Sequence, residues 1–316
     1  GLAREVDVPG YVIRTAPASV LQSGGRAVEE VVPIRNRADG FKLAAKDQVS
    51  TDFLQLVRFG LRQADDPLIR GSVKVVDYLL KVDTPSGAVW RRYNHDGYGE
   101  HGDGRPYDGA GQGRPWPLLA GERGHYELAA GRDPSSFLLT MAATASPGGM
   151  IPEQVWDEAS ILARRLIPGR PTGSAMPLAW AHAEFVKLLM SRELGYCFDR
   201  LPAVWKRYKG QRRQGRRAFW WQHARVRSFS EGSMLVVALC RPGVVRYGID
   251  AWREILEVEA DATGLGFFAA TLDTAKLETG QTVDFTVRWS DGTWIGEDFR
   301  AAVVPPLQPT EIAAPV

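Results

Sequence analysis

Three segments bounded by glycine and proline carry the side chains with which a protein could hold a sugar and hydrolyse it. "WRRYNHDGYGE" (90–100) supplies Arg92, Tyr93 and Tyr98, "GRPWPL" (113–118) supplies Arg114 and Trp116, and "PEQVWD" (152–157) supplies Glu153, Gln154 and Trp156. A carbohydrate offers hydroxyl groups at its rim and apolar ring faces. Guanidinium forks and amides fix the hydroxyls, while indoles and phenols cover the faces. One ionised carboxylate placed beneath such a ring can take a proton from an attacking water.

Each of these residues also has a plainer reading. Glu153 follows Pro152, so it fits a first-turn acid facing a helix dipole, a contact that stabilises by about 0.3–1 kcal/mol and does no chemistry. Trp116 and Trp156 fit core positions. Arg92 fits an ion pair with Asp96 or Glu100 of its own loop.

Other motifs carry less. "HDGYGEHGDG" (95–104) gathers His95, Asp96, Glu100, His101 and Asp103, but without the twelve-residue calcium spacing and without HExxH, so no metal site is expected. Gly97 and Gly99 do not sit at a strand-to-helix turn, which removes a dinucleotide site. No cofactor is implied. The run "KRYKGQRRQGRRAFWW" (206–221) packs seven basic residues ahead of three aromatics and suits a nucleic-acid patch in isolation. Its aromatics have strand spacing, and it reads as a solvated link between domains.

The bulk composition agrees. The chain has 316 residues, 44% of them apolar and 24% charged, as in a folded globular protein, and a formal charge of +2 supplies no field for nucleic acid or an anionic membrane. No apolar run reaches the roughly 18 residues of a membrane span. Cys197 and Cys240 lack CxxC spacing and read as two buried thiols. Oligomeric state cannot be read from these features.

The elements that must position the three segments follow from periodicity. Residues 1–49 read as an irregular, strand-rich lead-in. Helical patterns at 50–64 (Leu54, Val57, Leu61) and 65–82 (Val73, Val76, Leu80) predict an antiparallel helical hairpin. Residues 83–114 are dense in glycine and are expected to hold no regular element. Helices are predicted at 117–131, 133–145 and 176–193, the last apolar almost all round and so suited to burial on every side. A loop, 146–175, carries Glu153. From 203 to 304 the period becomes that of strands, about seven of them in an antiparallel sandwich, with Val283, Phe285, Val287 and Trp289 pointing inward. Residues 305–316 read as a disordered tail.

Taken together and in order, "RRYNHDGYGE", "GRPWPLLAGERGHYELAAG", "GGMIPEQVWD" and "PTGSAMPLAWAHAEFVKLL" resemble the bacterial glucoamylase and glucodextranase family of glycoside hydrolases, family fifteen. The resemblance covers roughly residues 40–200, and the strand-rich segment resembles the β domain of glucodextranase-like members. It implies a mainly α chain, residues 50–202 being the carboxy-terminal half of an (α/α)6 toroid followed by a β-sandwich-like domain. The implied activity is inverting hydrolysis of α-glucans from their non-reducing ends. Matched to the family motif, Glu153 is the general base. Arg92, Tyr93, Tyr98 and Trp116 hold and line the terminal glucose, with Gln154 and Trp156 beside the base. The implied partner is an α-glucan or oligosaccharide, and the implied compartment is secreted or periplasmic. Relatives acting on α-1,6-glucan or trehalose stay open, as does a non-catalytic carbohydrate-binding protein using Trp289 and Trp294.

The family carries its general acid in a "WEE"-type motif ahead of the matching region. Glu29 and Glu30 lie in "RAVEEVV", without the tryptophan. The sequence therefore reads as an amino-terminally truncated form, expected to be inactive alone.

Overall fold

The computed structural model describes residues 1–17, 19, 28–208, 217–222 and 224–306. Half of the basic run, 209–216, and nearly all of the expected tail lie outside them. The chain forms two compact units, residues 1–16 with 28–212, and residues 17–27 with 213–316.

The first unit is mainly helical. Its helices are α1 (Leu2–Glu5), α2 (Leu54–Arg58), α3 (Pro67–Leu80), α4 (Pro117–Ala129), α5 (Ser135–Thr144), α6 (Ala179–Leu194) and α7 (Pro202–Tyr208). Two antiparallel strand pairs accompany them, β1 (Val31–Pro33) with β2 (Lys42–Ala44), and β3 (Lys81–Thr84) with β4 (Gly87–Trp90).

Helix α4 is the axis of this unit. Pro117 occupies its first turn, where no amide hydrogen is needed, and every residue from Pro117 to Glu127 is buried. A Cβ on Gly121 would lie 2.6 Å from Glu184 Cγ and 2.9 Å from Met141 Sδ, and one on Gly124 would lie 2.7 Å from Leu188 Cδ2. The glycines of "GERG" thus let α5 and α6 approach the axis. Leu54, Val57, Ile69, Val73, Val76, Leu118, Tyr126 and Met141 share one core with Trp90 and Trp116.

Several expectations need correction. The helix predicted over 50–64 shrinks to α2, because the amides of Leu61 and Arg62 both turn back to the carbonyl of Leu56 around Gly60 at φ +82°. No helical hairpin forms, and α2 packs on α4. Helix α3 keeps its predicted place, capped by Asp66, whose carboxylate accepts from the Leu68 amide at 2.9 Å.

The glycine-dense stretch is not free of regular structure, since β3 and β4 form a tight hairpin. Gly87, at φ +116°, is required there: a Cβ would sit 2.1 Å from Thr140 Oγ1. Helix α6 is not buried all round. It buries Ala181, Glu184, Leu188 and Ser191, whereas Trp180, Val186, Leu189, Met190 and Leu194 are exposed.

The second unit holds two sheets, ordered β10-β11-β7-β5 and β6-β13-β12-β8-β9. Their strands are β5 (Arg217–Trp221), β6 (Ser228–Ser230), β7 (Met234–Leu239), β8 (Gly243–Ile249), β9 (Ile255–Glu259), β10 (Asp261–Ala262), β11 (Phe268–Leu272), β12 (Thr282–Trp289) and β13 (Phe299–Val304). Leu235, Val237 and Leu272 of one sheet join Val245, Phe285 and Ala301 of the other in a single core. Two pairings, β5 with β7 and β6 with β13, are parallel, so the sheets are mixed where an antiparallel arrangement was expected. The described residues of this unit hold nine strands where about seven were expected. Val283, Phe285, Val287 and Trp289 are buried, which removes Trp289 as a sugar platform. Cys197 is buried, but Cys240, expected to be buried too, is exposed.

Among the described residues, no helix is long and apolar enough to cross a membrane, and no group of three or more His, Cys, Asp or Glu could hold a metal.

Candidate active site

The three chemistry-bearing segments are zipped together through their backbones. Trp116 N donates to Trp90 O at 2.8 Å, Gly113 N to Asp96 O at 2.7 Å, and Val155 N to Pro115 O at 3.0 Å. Buried charge reinforces the zipper. Arg114 is fully buried, stacks 4.0 Å over the Trp156 ring, and donates through Nε and Nη2 to the carbonyl of Glu100 at 3.1 and 2.8 Å. Its Nη1 reaches Asp157 at 2.7 Å and Glu158 at 2.9 Å, and Asp157 also pairs with Arg91. Charge-assisted bonds of this kind are about twice as strong as neutral ones and fix geometry as well.

Glu153 stands on this frame, outside any helix. The first-turn reading is therefore excluded, because the residue has no helix dipole to face. Its amide donates to Ala175 O at 2.9 Å, and its carboxylate Oε2 accepts from the Tyr98 hydroxyl at 3.3 Å. Burial and the neighbouring charge of Glu153 raise the Tyr98 phenol above its ordinary pKa, so it stays a neutral donor.

Arg92 lies at the same place. Its guanidinium centre sits 4.8 Å from the Tyr98 ring, 5.1 Å from the Trp116 ring and 5.3 Å from the Tyr93 ring. Asp96 grips it from Oδ2 to Nε at 2.8 Å and from Oδ1 to Nη2 at 3.0 Å, so the loop-internal pair is real. Burial works against the charge of Arg92, but its bond to Asp96 and that carboxylate's field outweigh it and hold the group above its ordinary pKa.

Against the predicted list, Glu153 and Arg92 converge on the Tyr98 side chain, with Arg92 and Tyr98 half-buried and Glu153 buried at 9% exposure. Tyr93 and Trp116, at 7% and 5% exposure, back the guanidinium and do not form an open platform. Trp156 is fully buried, with its indole N–H donated to Ala159 O at 2.8 Å, so it supports the floor and cannot touch a ligand. Gln154 is also buried, donating to Tyr98 O at 3.0 Å, and acts as a strut.

The sequence reading missed Asp96, Asp157 and the 172–175 stretch as parts of the site. Asp96 had a signal in its spacing of four from Arg92. The stretch 172–175 had no residue-type signal, because it contributes mainly backbone: Thr172 N donates to Gln154 O at 3.2 Å and Ala175 O accepts from Glu153 N at 2.9 Å, with one hydroxyl, Ser174 Oγ, accepting from Gln154 N at 3.0 Å.

Residues 34–190, which contain every one of these groups, match the pattern of glycosyl hydrolases family 15. This segment, just under half of the chain, is glucoamylase-like and of the family 15 kind. A glucoamylase from Clostridium sp. (strain G0005) is 50% identical over 163 residues, a stretch covering 52% of this chain and 22% of that enzyme. A crystal structure of bacterial glucoamylase complexed with acarbose matches with a TM-score of 0.56 and 45% identity, over 63% of this chain and 27% of the other. The chain thus spans about a quarter of the length of these two glucoamylases.

Proposed function

We propose that the site formed by Glu153, Tyr98 and Arg92 binds the terminal glucose of an α-glucan and serves exo-acting, inverting hydrolysis. In this reading the first unit is the carboxy-terminal half of an (α/α)6 barrel. The convergence of one carboxylate, one phenol and one guanidinium within the family 15 segment is the observation that carries it.

Each group then has a task. Arg92, fixed by Asp96, donates to sugar hydroxyls in a set orientation and so lowers the entropic cost of reaching an attack geometry. Tyr98 aims the Glu153 carboxylate. Glu153 takes a proton from water as that water attacks the anomeric carbon, while an acid on the opposite face, about 6.5–9.5 Å away in enzymes of this type, protonates the leaving oxygen. Among the described residues we assign that acid to none: Glu29, a candidate from the lead-in, is exposed and paired with Lys46 at 2.5 Å. The chain by itself is expected to bind glucosides and to turn them over more slowly by a factor of about 10²–10⁴.

Calorimetric titration with acarbose tests the binding half. Saturable binding that weakens at least tenfold in Arg92→Gln supports the reading, and no binding to the unaltered chain contradicts it. For the chemical half, residues 34–190 would replace the matching segment of the Clostridium glucoamylase. Glucose release by this chimera that disappears in Glu153→Gln, with acarbose binding kept, is the expected result.

A further inference from the structure

At the far end of α4 from Trp116, the carboxy-terminal ends of α2 and α4 and the segment 195–205 enclose a cleft of about 650 Å³, a size that suits a small ligand. It shares no lining residue with the Glu153 site. Five arginines line it, Arg58, Arg62, Arg70, Arg132 and Arg200, with Asp65 as their acidic neighbour in the wall.

Two of the five are committed inside the protein. Arg58 is neutralised by Glu184 and Asp199 at 2.9 and 2.8 Å, and Arg132 by Glu127. The other three are not. Arg62 has a carboxylate no closer than Asp66 at 3.9 Å, and Arg70 and Arg200 make no ion pair among the described residues.

Arg200 is nevertheless held in place. Its guanidinium centre lies 4.2 Å from the Trp205 ring and 5.3 Å from the Tyr196 ring. The Gly60 turn closes on the same pair, since a Cβ there would meet Trp205 Cε3 at 3.0 Å and Arg200 Cδ at 3.4 Å. A guanidinium fixed over rings with its donors unused is organised in advance for a planar or tetrahedral oxyanion. The carbonyl ends of two helices would disfavour an anion, but several of these carbonyls already accept backbone amides: Leu56 O from Leu61 and Arg62, Val57 O from Gly60, Glu127 O from Arg132 and Leu128 O from Gly131.

We infer that this cleft is a second binding site, for a phosphate-bearing small molecule gripped by Arg62, Arg70 and Arg200. The phosphate can come from inorganic phosphate or from a sugar phosphate, and the cleft is large enough for either.

The full chain would be titrated calorimetrically at low ionic strength with inorganic phosphate and glucose 6-phosphate, with glucose as the neutral control. Saturable one-to-one binding of inorganic phosphate, weakened at least tenfold in Arg70→Gln and in Arg200→Gln and unchanged when glucose is present to fill the Glu153 site, is expected. Tighter binding of glucose 6-phosphate identifies a sugar phosphate, and equal binding identifies the free anion. Arg70 is exposed, so its variant keeps the test valid should Arg200→Gln disturb the ring stack. No heat with either probe, or unchanged affinity in the Arg70→Gln/Arg200→Gln double variant, overturns the proposal.

Discussion

The amide of Gly173 donates to Glu100 Oε1 at 2.7 Å. That bond ties the loop carrying Arg92 and Tyr98 to the stretch whose Ala175 carbonyl receives the Glu153 amide. Glu100 is buried, and its other oxygen, Oε2, has no hydrogen-bond partner among the described residues. A clamp of this kind acts on Glu153 at a distance, through one buried side-chain oxygen of Glu100 and the backbone of 173–175. Glu100→Ala should destabilise the protein by about 1–3 kcal/mol and speed hydrogen exchange at the amides of Gly173 and Glu153. Glu100→Gln keeps an acceptor and discharges a buried carboxylate, so exchange there should stay slow. Equal acceleration in both variants would assign the effect to general loosening.

Asp96 does more for the site than pair with one arginine. Its buried carboxylate also accepts from the Tyr98 amide at 3.0 Å, so it sets the path of the chain between Arg92 and Tyr98, the two side chains proposed to meet the sugar. Removing one partner of a buried pair leaves the other charge uncompensated, at about 3–5 kcal/mol. Arg92 retains 30% side-chain exposure, and water there lowers the expected cost of Asp96→Ala to about 3 kcal/mol. Urea unfolding measures this, and acarbose titration should show that binding falls together with stability.

How much of this was legible follows from what each residue does. Glu153 and Arg92 act with side chains, and side-chain chemistry is written in residue type. The amphipathic rows of α3 were readable because its apolar positions recur at the helical period and Asp66-Pro67 marks its start. Helix α2 was not readable to its end, because Gly60 and a return to the Leu56 carbonyl stop it while the apolar period continues. The role of Trp156 was misjudged for a related reason: type and motif cannot tell a platform from a floor, a difference set by Arg114 stacking on it from another segment. The hairpin of β3 and β4 was hidden because Gly87 serves a contact with Thr140, distant in sequence.

Glu122 makes stability depend on pH. It is buried on α4, facing Glu184 from α6 and Asp52 and Arg58 from the chain around α2, and makes no side-chain hydrogen bond among the described residues. Burial first, and then the charge of Glu184, push its pKa from 4.5 to about 8, against the opposing pull of Arg58. The folded state therefore holds a proton that the unfolded chain releases between pH 4.5 and about 8. This contribution is whole below pH 4.5 and is lost as pH rises through about 8, with a slope of about 1.4 kcal/mol per pH unit at its steepest. Glu184, Glu127 and Asp199 have lowered pKa values and act at the acid end, where their stabilisation is lost as pH falls. Urea midpoints taken at pH 6 and pH 8.5 should fall with rising pH, and Glu122→Gln should flatten that fall.

Glycine density in residues 97–113 reflects close backbone approach, and two substitutions separate that from simple looseness. A Cβ on Gly97 would lie 1.7 Å from the carbonyl oxygen of Asn36, a backbone atom with no rotamer by which to move aside. One on Gly102 meets nothing nearer than Glu158 Oε2 at 3.6 Å, an ordinary contact. Gly97→Ala must displace either the 34–40 turn or the loop that bears Tyr98, at about 1–3 kcal/mol or more. Gly102→Ala, five residues on in the same run, should stay within about 0.5 kcal/mol of the unaltered protein. Thermal melts read the first difference. Acarbose affinity reads the second, since a shifted Tyr98 no longer aims Glu153 and the Gly97→Ala protein should lose binding that the Gly102→Ala protein keeps.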